Sequence, residues 1–196
     1  MLLHCSNILT GMHNPRGTNL SAAAVAIAAG DIIAYPTEGV FGLGCNPTNE
    51  QAIAKLIDLK GRASDKGLII IAASRQQLAP FTTTVSEAIE QQLQASWPGP
   101  VTWILPAAKA VPALVTGGRS TIAARVTAHR VAAELCEACG HALISTSANR
   151  SGQPPCVNAD QVAATFNTLG YLVDMPVGDL SGPTPIFDGV SGKQLR

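Results

Sequence analysis

Residues 67–73 read Gly-Leu-Ile-Ile-Ile-Ala-Ala. An unbroken apolar run of this kind predicts a strand covered on both faces, not one half-open to water. Such a strand needs helices above and below it. Upstream, Ala52, Ile53, Leu56 and Ile57 fall at helical spacing behind the capping residue Asn49, which predicts a helix over 49–59. Downstream, Thr84-x-x-Glu87 has the form of a capping box and opens a helix to about residue 95.

The alternation continues in both directions. Helices are expected over 19–29, 130–138 and 158–166, with Gly30 and Gly140 as stops. Strands are expected over 31–36, 101–105, 121–126, 142–145 and 171–173. The tail 178–192 is turn-rich, with one short apolar stretch at 185–187. No repeat, low-complexity tract or linker interrupts the 196 residues, so one domain over 1–196 is expected. Its class is α+β of the α/β type: three layers, with a large twisted mixed sheet flanked by helices.

Composition narrows the function. Apolar residues make up 46% of the chain, which argues against disorder. Thirteen Lys and Arg balance thirteen Asp and Glu, so no long-range field draws in nucleic acid, and an anion must be met by a local cluster. Residues 1–10 carry no Lys or Arg, and the longest apolar run, 22–29, is far shorter than the roughly 20 residues of a membrane span. No targeting signal and no membrane partner are expected. Five scattered cysteines (Cys5, Cys45, Cys136, Cys139, Cys156) do not form a disulfide framework, which points to a reduced, cytoplasmic compartment. Cys136-x-x-Cys139 has no second pair to complete a four-ligand zinc site and is read as structural. His4, His13, His129 and His141 are scattered and are read as surface or turn residues.

Several motifs are absent. Pro47 stands where a third glycine would complete a dinucleotide fingerprint after Gly42-x-Gly44, and neither a P-loop nor a nucleophile elbow occurs. Three polar segments remain. Lys60-Gly-Arg62-Ala-Ser-Asp-Lys66 places three cations within seven residues, either as a helix end with solvated charges or as an anion site. Ser145-Thr-Ser147-Ala-Asn149-Arg-Ser-Gly152 follows a strand, either as a self-capping turn or as a ligand-binding edge. Thr121 and Arg125 project from one face of a strand, where an arginine needs a carboxylate, whether structural or from a ligand.

Taken in order, Tyr35-Pro-Thr37-Glu38-Gly-Val-Phe-Gly42-Leu-Gly44, Lys60-Gly-Arg62 with Lys66-Gly-Leu68, Trp97-Pro-Gly-Pro-Val-Thr102, Ala124-Arg125-Val126 and Ser145-Thr-Ser147-Ala-Asn149-Arg-Ser-Gly152 resemble the YrdC-like family over about residues 19–192. The resemblance implies the YrdC-like fold with a concave basic cavity. It also implies the short, single-domain form of a threonylcarbamoyl-AMP synthase. Such an enzyme joins ATP, L-threonine and bicarbonate, releases pyrophosphate, and feeds the t6A modification at position 37 of ANN-decoding tRNAs. By similarity, Lys60 and Arg62 would be catalytic, and Arg62, Lys66, Thr121, Ser147 and Asn149 would bind ATP. Thr37, Gly39, Arg125 and Ser145 would bind threonine. Mg²⁺ would arrive with ATP, no other metal or tightly bound cofactor is implied, and contact with the tRNA threonylcarbamoyl-transfer machinery would be transient. Gly39 stands where longer members carry Thr and Ile71 where they carry His, both positions associated with threonine binding.

Two other readings compete with it. One is an RNA-binding or ribosome-assembly module, with weak RNA binding in the same cavity. Zero net charge and only four Phe, two Tyr and two Trp weigh against it. The other is a hydrogenase-maturation domain, whose zinc-finger and acylphosphatase segments this chain lacks.

Overall fold

The computed structural model describes residues 14–196. His4, Cys5, His13 and the stretch read for targeting lie outside the described residues. The chain runs β1 (Arg16–Gly17), α1 (Leu20–Ala28), β2 (Ile33–Pro36), β3 (Phe41–Gly44), α2 (Glu50–Lys60), a 3₁₀ turn (Ser64–Lys66) and β4 (Ile69–Ala72). It continues through α3 (Arg75–Leu78), α4 (Glu87–Ser96), β5 (Thr102–Pro106), α5 (Ala113–Thr116), β6 (Thr121–Val126) and α6 (Arg130–Cys139). It ends with β7 (Leu143–Ser147), α7 (Ala159–Thr165), β8 (Tyr171–Val173) and β9 (Ile186–Asp188). The strands form one mixed sheet in the order β1-β8-β2-β3-β7-β4-β6-β5-β9. The expected class stands.

The run at 67–73 behaves as its composition requires. Ile70 and Ala72 join a core with Ile53 and Leu56 of α2, Leu93 of α4 and Val162 of α7. Ile71 points to the other side and packs with Ile27 of α1 and Val131 and Leu135 of α6. Each face of β4 therefore lies under its own helical layer. The helix starts follow side-chain capping: Asn19, Asn49, Ser74, Ser86, His129 and Asn158 each accept a backbone N–H of the first turn.

Some expectations shift. The cap of α4 is Ser86, which accepts from Ile89 N, so the capping box read at Thr84 is displaced by two residues. Phe41–Gly44, read only as a motif, is a strand between β2 and β7. The short apolar stretch in the tail becomes β9, parallel to β5.

Candidate functional site

Cross-strand partners share a face, and the register pairs Ile69 with Ser145 and Ala123, and Ile71 with Leu143 and Arg125. Thr121, Ala123, Arg125 and Ser145 therefore point to the side on which α1 and α6 pack. Those two helices reach Ile71, Leu143 and the β2–β8 end. The rest of this face carries a trough with two lobes.

The first lobe, a cavity of about 120 Å³, is lined by Thr37, Gly39, Gly42, Arg125, Ser145 and Ser147, and closed by Gly182, Pro183 and Thr184 of the tail. The second, about 340 Å³, is lined by Lys66, Arg119 and Thr121 along with apolar residues from β5, α5 and β9. Arg62, Leu68, Ile69 and Arg196 line both lobes, so Arg62 and Arg196 stand at the junction. The second lobe presents Arg62, Lys66, Arg119 and Arg196 and no Asp or Glu.

Arg125 is 3% exposed and fully framed. Its Nη1 donates to Thr102 Oγ1 at 3.1 Å and Thr184 Oγ1 at 2.8 Å, and its Nη2 lies 3.1 Å from Glu38 Oε2 without hydrogen-bond alignment. Glu38 is also buried, and its Oε1 accepts from Thr127 Oγ1 at 2.6 Å. The Arg125 Nε is buried with no partner. A guanidinium held this way presents a fixed charge to a small anion, and its unmet donor is a cost that a suitable acceptor would offset.

Arg62 donates only to the main-chain oxygens of Lys66 (3.4 Å) and Gly67 (2.9 Å), and its Nε is buried without a partner. Burial, and then repulsion from Arg196, pushes its pKa down. Arg196 is pushed down by burial and then by Arg125. Like charges are thus crowded at the junction and only partly offset by Asp65 near Arg62, which is the electrostatic form of an anion site.

Lys60, expected by similarity to be catalytic, is turned away from the trough. It is 3% exposed at the end of α2, and Nζ donates to Ser147 O, to Asn149 O at 2.8 Å and to Asn149 Oδ1 at 3.1 Å. All three ammonium donors are engaged, so Lys60 braces the loop after β7 and does not line either lobe. Burial, and then Arg62, lowers its pKa to about 8. Asn149 accepts from Ser147 Oγ at 2.7 Å and donates to Arg150 O and Gln153 O, so it too is committed to the loop.

Gly39 and Ile71, the two positions that the resemblance singled out as departures, separate in space. A Cβ on Gly39 would sit 2.2 Å from Gly182 O and 2.5 Å from Leu180 O, because the tail crosses over the 37–39 turn. Ile71 lies under α6 and lines no part of the trough. Gly42 keeps the Ser145 hydroxyl open, since a Cβ there would meet Ser145 Oγ at 3.2 Å. The structure brings together Thr37, Gly39, Arg62, Arg125, Ser145 and Ser147 in one lobe and Arg62, Lys66 and Thr121 in the other. Sequence reasoning did not find Glu38 as the partner of Arg125, nor Thr102, Thr127, Thr184, Arg119 and Arg196. Glu38 and Thr102 stood inside quoted motifs, while the others carried no local signal.

The family model described as "Telomere recombination" (Sua5, YciO, YrdC) matches residues 25–195. The threonylcarbamoyl-AMP synthase of Halorhodospira halophila is 50% identical over 175 residues, covering 89% of this chain and 92% of that protein. The one from Nitrosococcus oceani is 48% identical over 175 residues, covering 89% and 95%. Among solved structures, P. abyssi Sua5 complexed with L-threonine superimposes with a TM-score of 0.83 at 34% identity, over 90% of this chain and 53% of that one. This chain thus spans about half of Sua5 but nearly all of the two curated relatives.

Proposed function

This chain belongs to the Sua5–YciO–YrdC family, and from that premise we propose that it is a threonylcarbamoyl-AMP synthase acting on L-threonine, bicarbonate and MgATP. Its relatives of nearly equal length bear that name, which gives the RNA-binding alternative no support. The observation that carries the reading in atomic terms is the two-lobed trough: a framed arginine at one end, a cluster of cations with no Asp or Glu in its lining at the other, and Arg62 between them.

In this reading the threonine carboxylate pairs with Arg125, and the Thr37–Gly39 turn and Ser145 bound the amino acid. Arg62 and Lys66 hold the phosphates, and Thr121 and Ser147 border the nucleotide. Lys60 and Asn149 act by fixing the loop that presents Ser147. The threonine amine attacks carbon dioxide derived from bicarbonate, loses a proton to water and becomes a carbamate. A carbamate oxygen then forms a bond to the α-phosphorus of ATP as the bond to the β-phosphate oxygen breaks and pyrophosphate leaves.

The protein's share is proximity and charge neutralisation. No acyl-enzyme is required, and Mg²⁺ travels with the nucleotide as part of the substrate. The product passes to a separate transferase that modifies tRNA. Incubating the protein with ATP, threonine and bicarbonate, and following both pyrophosphate and threonylcarbamoyl-AMP, tests the reading. Pyrophosphate release from ATP alone, or none with all three substrates, would refute it.

A further inference from the structure

Arg119 lies on the loop 117–120 between α5 and β6, far in sequence from the other cations of the second lobe. Two glycines seat it. Gly117 and Gly67 both have left-handed backbones, with φ of 63° and 62°. A Cβ on Gly117 would stand 2.4 Å from Asp65 O, 2.7 Å from Gly67 N and 2.7 Å from Arg119 Nη1. A Cβ on Gly67 would stand 3.2 Å from Thr116 O and 3.4 Å from Arg119 Nη1. The two loops therefore touch backbone to backbone, and the guanidinium lies across their junction.

Arg119 is tethered there by one hydrogen bond, from Nη1 to Thr116 O at 3.2 Å. It forms no ion pair with any described carboxylate, and its other donors have no hydrogen-bond partner among the described residues. It is exposed, lines the second lobe and also borders the adjoining surface depression that carries Lys109.

We infer that Arg119 holds the pyrophosphate half of ATP as it becomes the leaving group. The inference rests on the proposed synthase reading and adds to it a residue and a direction. With threonine at Arg125 and the α-phosphorus at the junction near Arg62, the attacking oxygen comes from the first lobe. In an in-line displacement the leaving oxygen departs on the opposite side, so the β- and γ-phosphates point along the second lobe. Negative charge grows on that end as the bond breaks. A guanidinium anchored at one nitrogen and free at the others can grip two phosphate oxygens at once. The half-buried Arg62 then meets the phosphates from the inner side of the lobe, and the exposed Lys66 and Arg119 meet them from the rim, where product leaves.

Calorimetric titration with inorganic pyrophosphate, AMP and L-threonine, on the wild type, Arg119→Ala and Arg119→Lys, tests this. Loss of one charge-assisted contact at an exposed rim should weaken pyrophosphate binding about tenfold in Arg119→Ala, leave AMP and threonine within about twofold, and be partly restored in Arg119→Lys. Unchanged pyrophosphate affinity in Arg119→Ala would overturn the assignment. So would equal losses for AMP and pyrophosphate, which would mean that Arg119 merely holds the two loops together. Failure of the wild type to bind pyrophosphate would instead take down the phosphate reading of the whole lobe.

Discussion

Gly39 offers the sharpest test of how the tail builds the amino-acid lobe. Replacing it with Ala puts a methyl carbon 2.2 Å from Gly182 O and 2.5 Å from Leu180 O, both main-chain atoms. Cβ atoms do not approach other heavy atoms closer than 3.0 Å, so the tail must retreat by about 0.8 Å. The same stretch is held by Leu180 N to Glu38 O at 2.9 Å and Gly178 N to Thr37 O at 3.0 Å. Lengthening these bonds by about 0.8 Å takes them well past the usual 3.2 Å limit. Thr184, four residues after Leu180, then moves relative to Arg125, to which it is bonded at 2.8 Å. Overpacking of this kind costs about 1–3 kcal/mol. Urea denaturation should show that loss, and the KM for threonine in a pyrophosphate-release assay should rise at least about fivefold, with the ATP KM changing far less. A Gly39→Ala protein with wild-type stability and wild-type threonine KM would refute the reasoning. Thr, bulkier at the same contact, should be worse tolerated than Ala.

Arg125→Lys should raise the threonine KM about tenfold or more while the ATP KM stays within about threefold, because one ammonium cannot serve Thr102, Thr184, Glu38 and a substrate carboxylate together. Equal rises in both constants would place Arg125 outside the amino-acid lobe. Glu38→Gln leaves Arg125 as a buried cation without a counter-charge and should cost about 3 kcal/mol or more by chemical denaturation, against a loss under 1 kcal/mol if the pair is idle. Lys60 should give opposite pH trends for loop and fold. Its folded pKa, about 8, lies below the usual lysine value, so the unfolded chain binds more protons above pH 8 and this group's contribution to global stability rises from about pH 8 to 10.5. Over the same rise the ammonium that braces Ser147 and Asn149 is lost, so ATP affinity should fall through about pH 8, read by titration at several pH values, and a flat profile would contradict the bracing role.

The parts of the molecule that the sequence exposes are those set by local chemistry. β6 and β8 fall where hydrophobic pattern places them, and α6 differs by one residue, because a cap and Gly140 mark its ends. β3 escapes because two of its four residues are glycines, and only its partners β2 and β7 make it a strand. The α4 start shifts because Thr84 and Ser86 offer competing caps, and the hydroxyl nearer the first turn prevails. Charge density along the chain finds Lys60, Arg62 and Lys66 but treats them alike. The structure turns Lys60 inward to the main chain after β7 and leaves the other two toward the trough. Arg119, Thr184 and Arg196 reach the site only through long-range pairing, and no local pattern sets them apart from surface residues.

That separation has a physical logic. The chain is neutral overall, so opposing charges are available for pairing, and Arg16, Arg75, Arg125 and Arg130 do pair with carboxylates. Arg62, Lys66, Arg119 and Arg196 line a common lobe and pair with none among the described residues. Crowded like charges destabilise the empty protein, and burial at Arg62 and Arg196 adds to the penalty. Arg125 differs because Glu38 neutralises it, which suits a partner of no net charge such as a zwitterionic amino acid. The cluster, with no carboxylate in its lining, suits a partner of several charges. The two ends of the trough thus differ in the charge each can accept, and that difference orients an amino acid and a polyphosphate without a single group having to distinguish them.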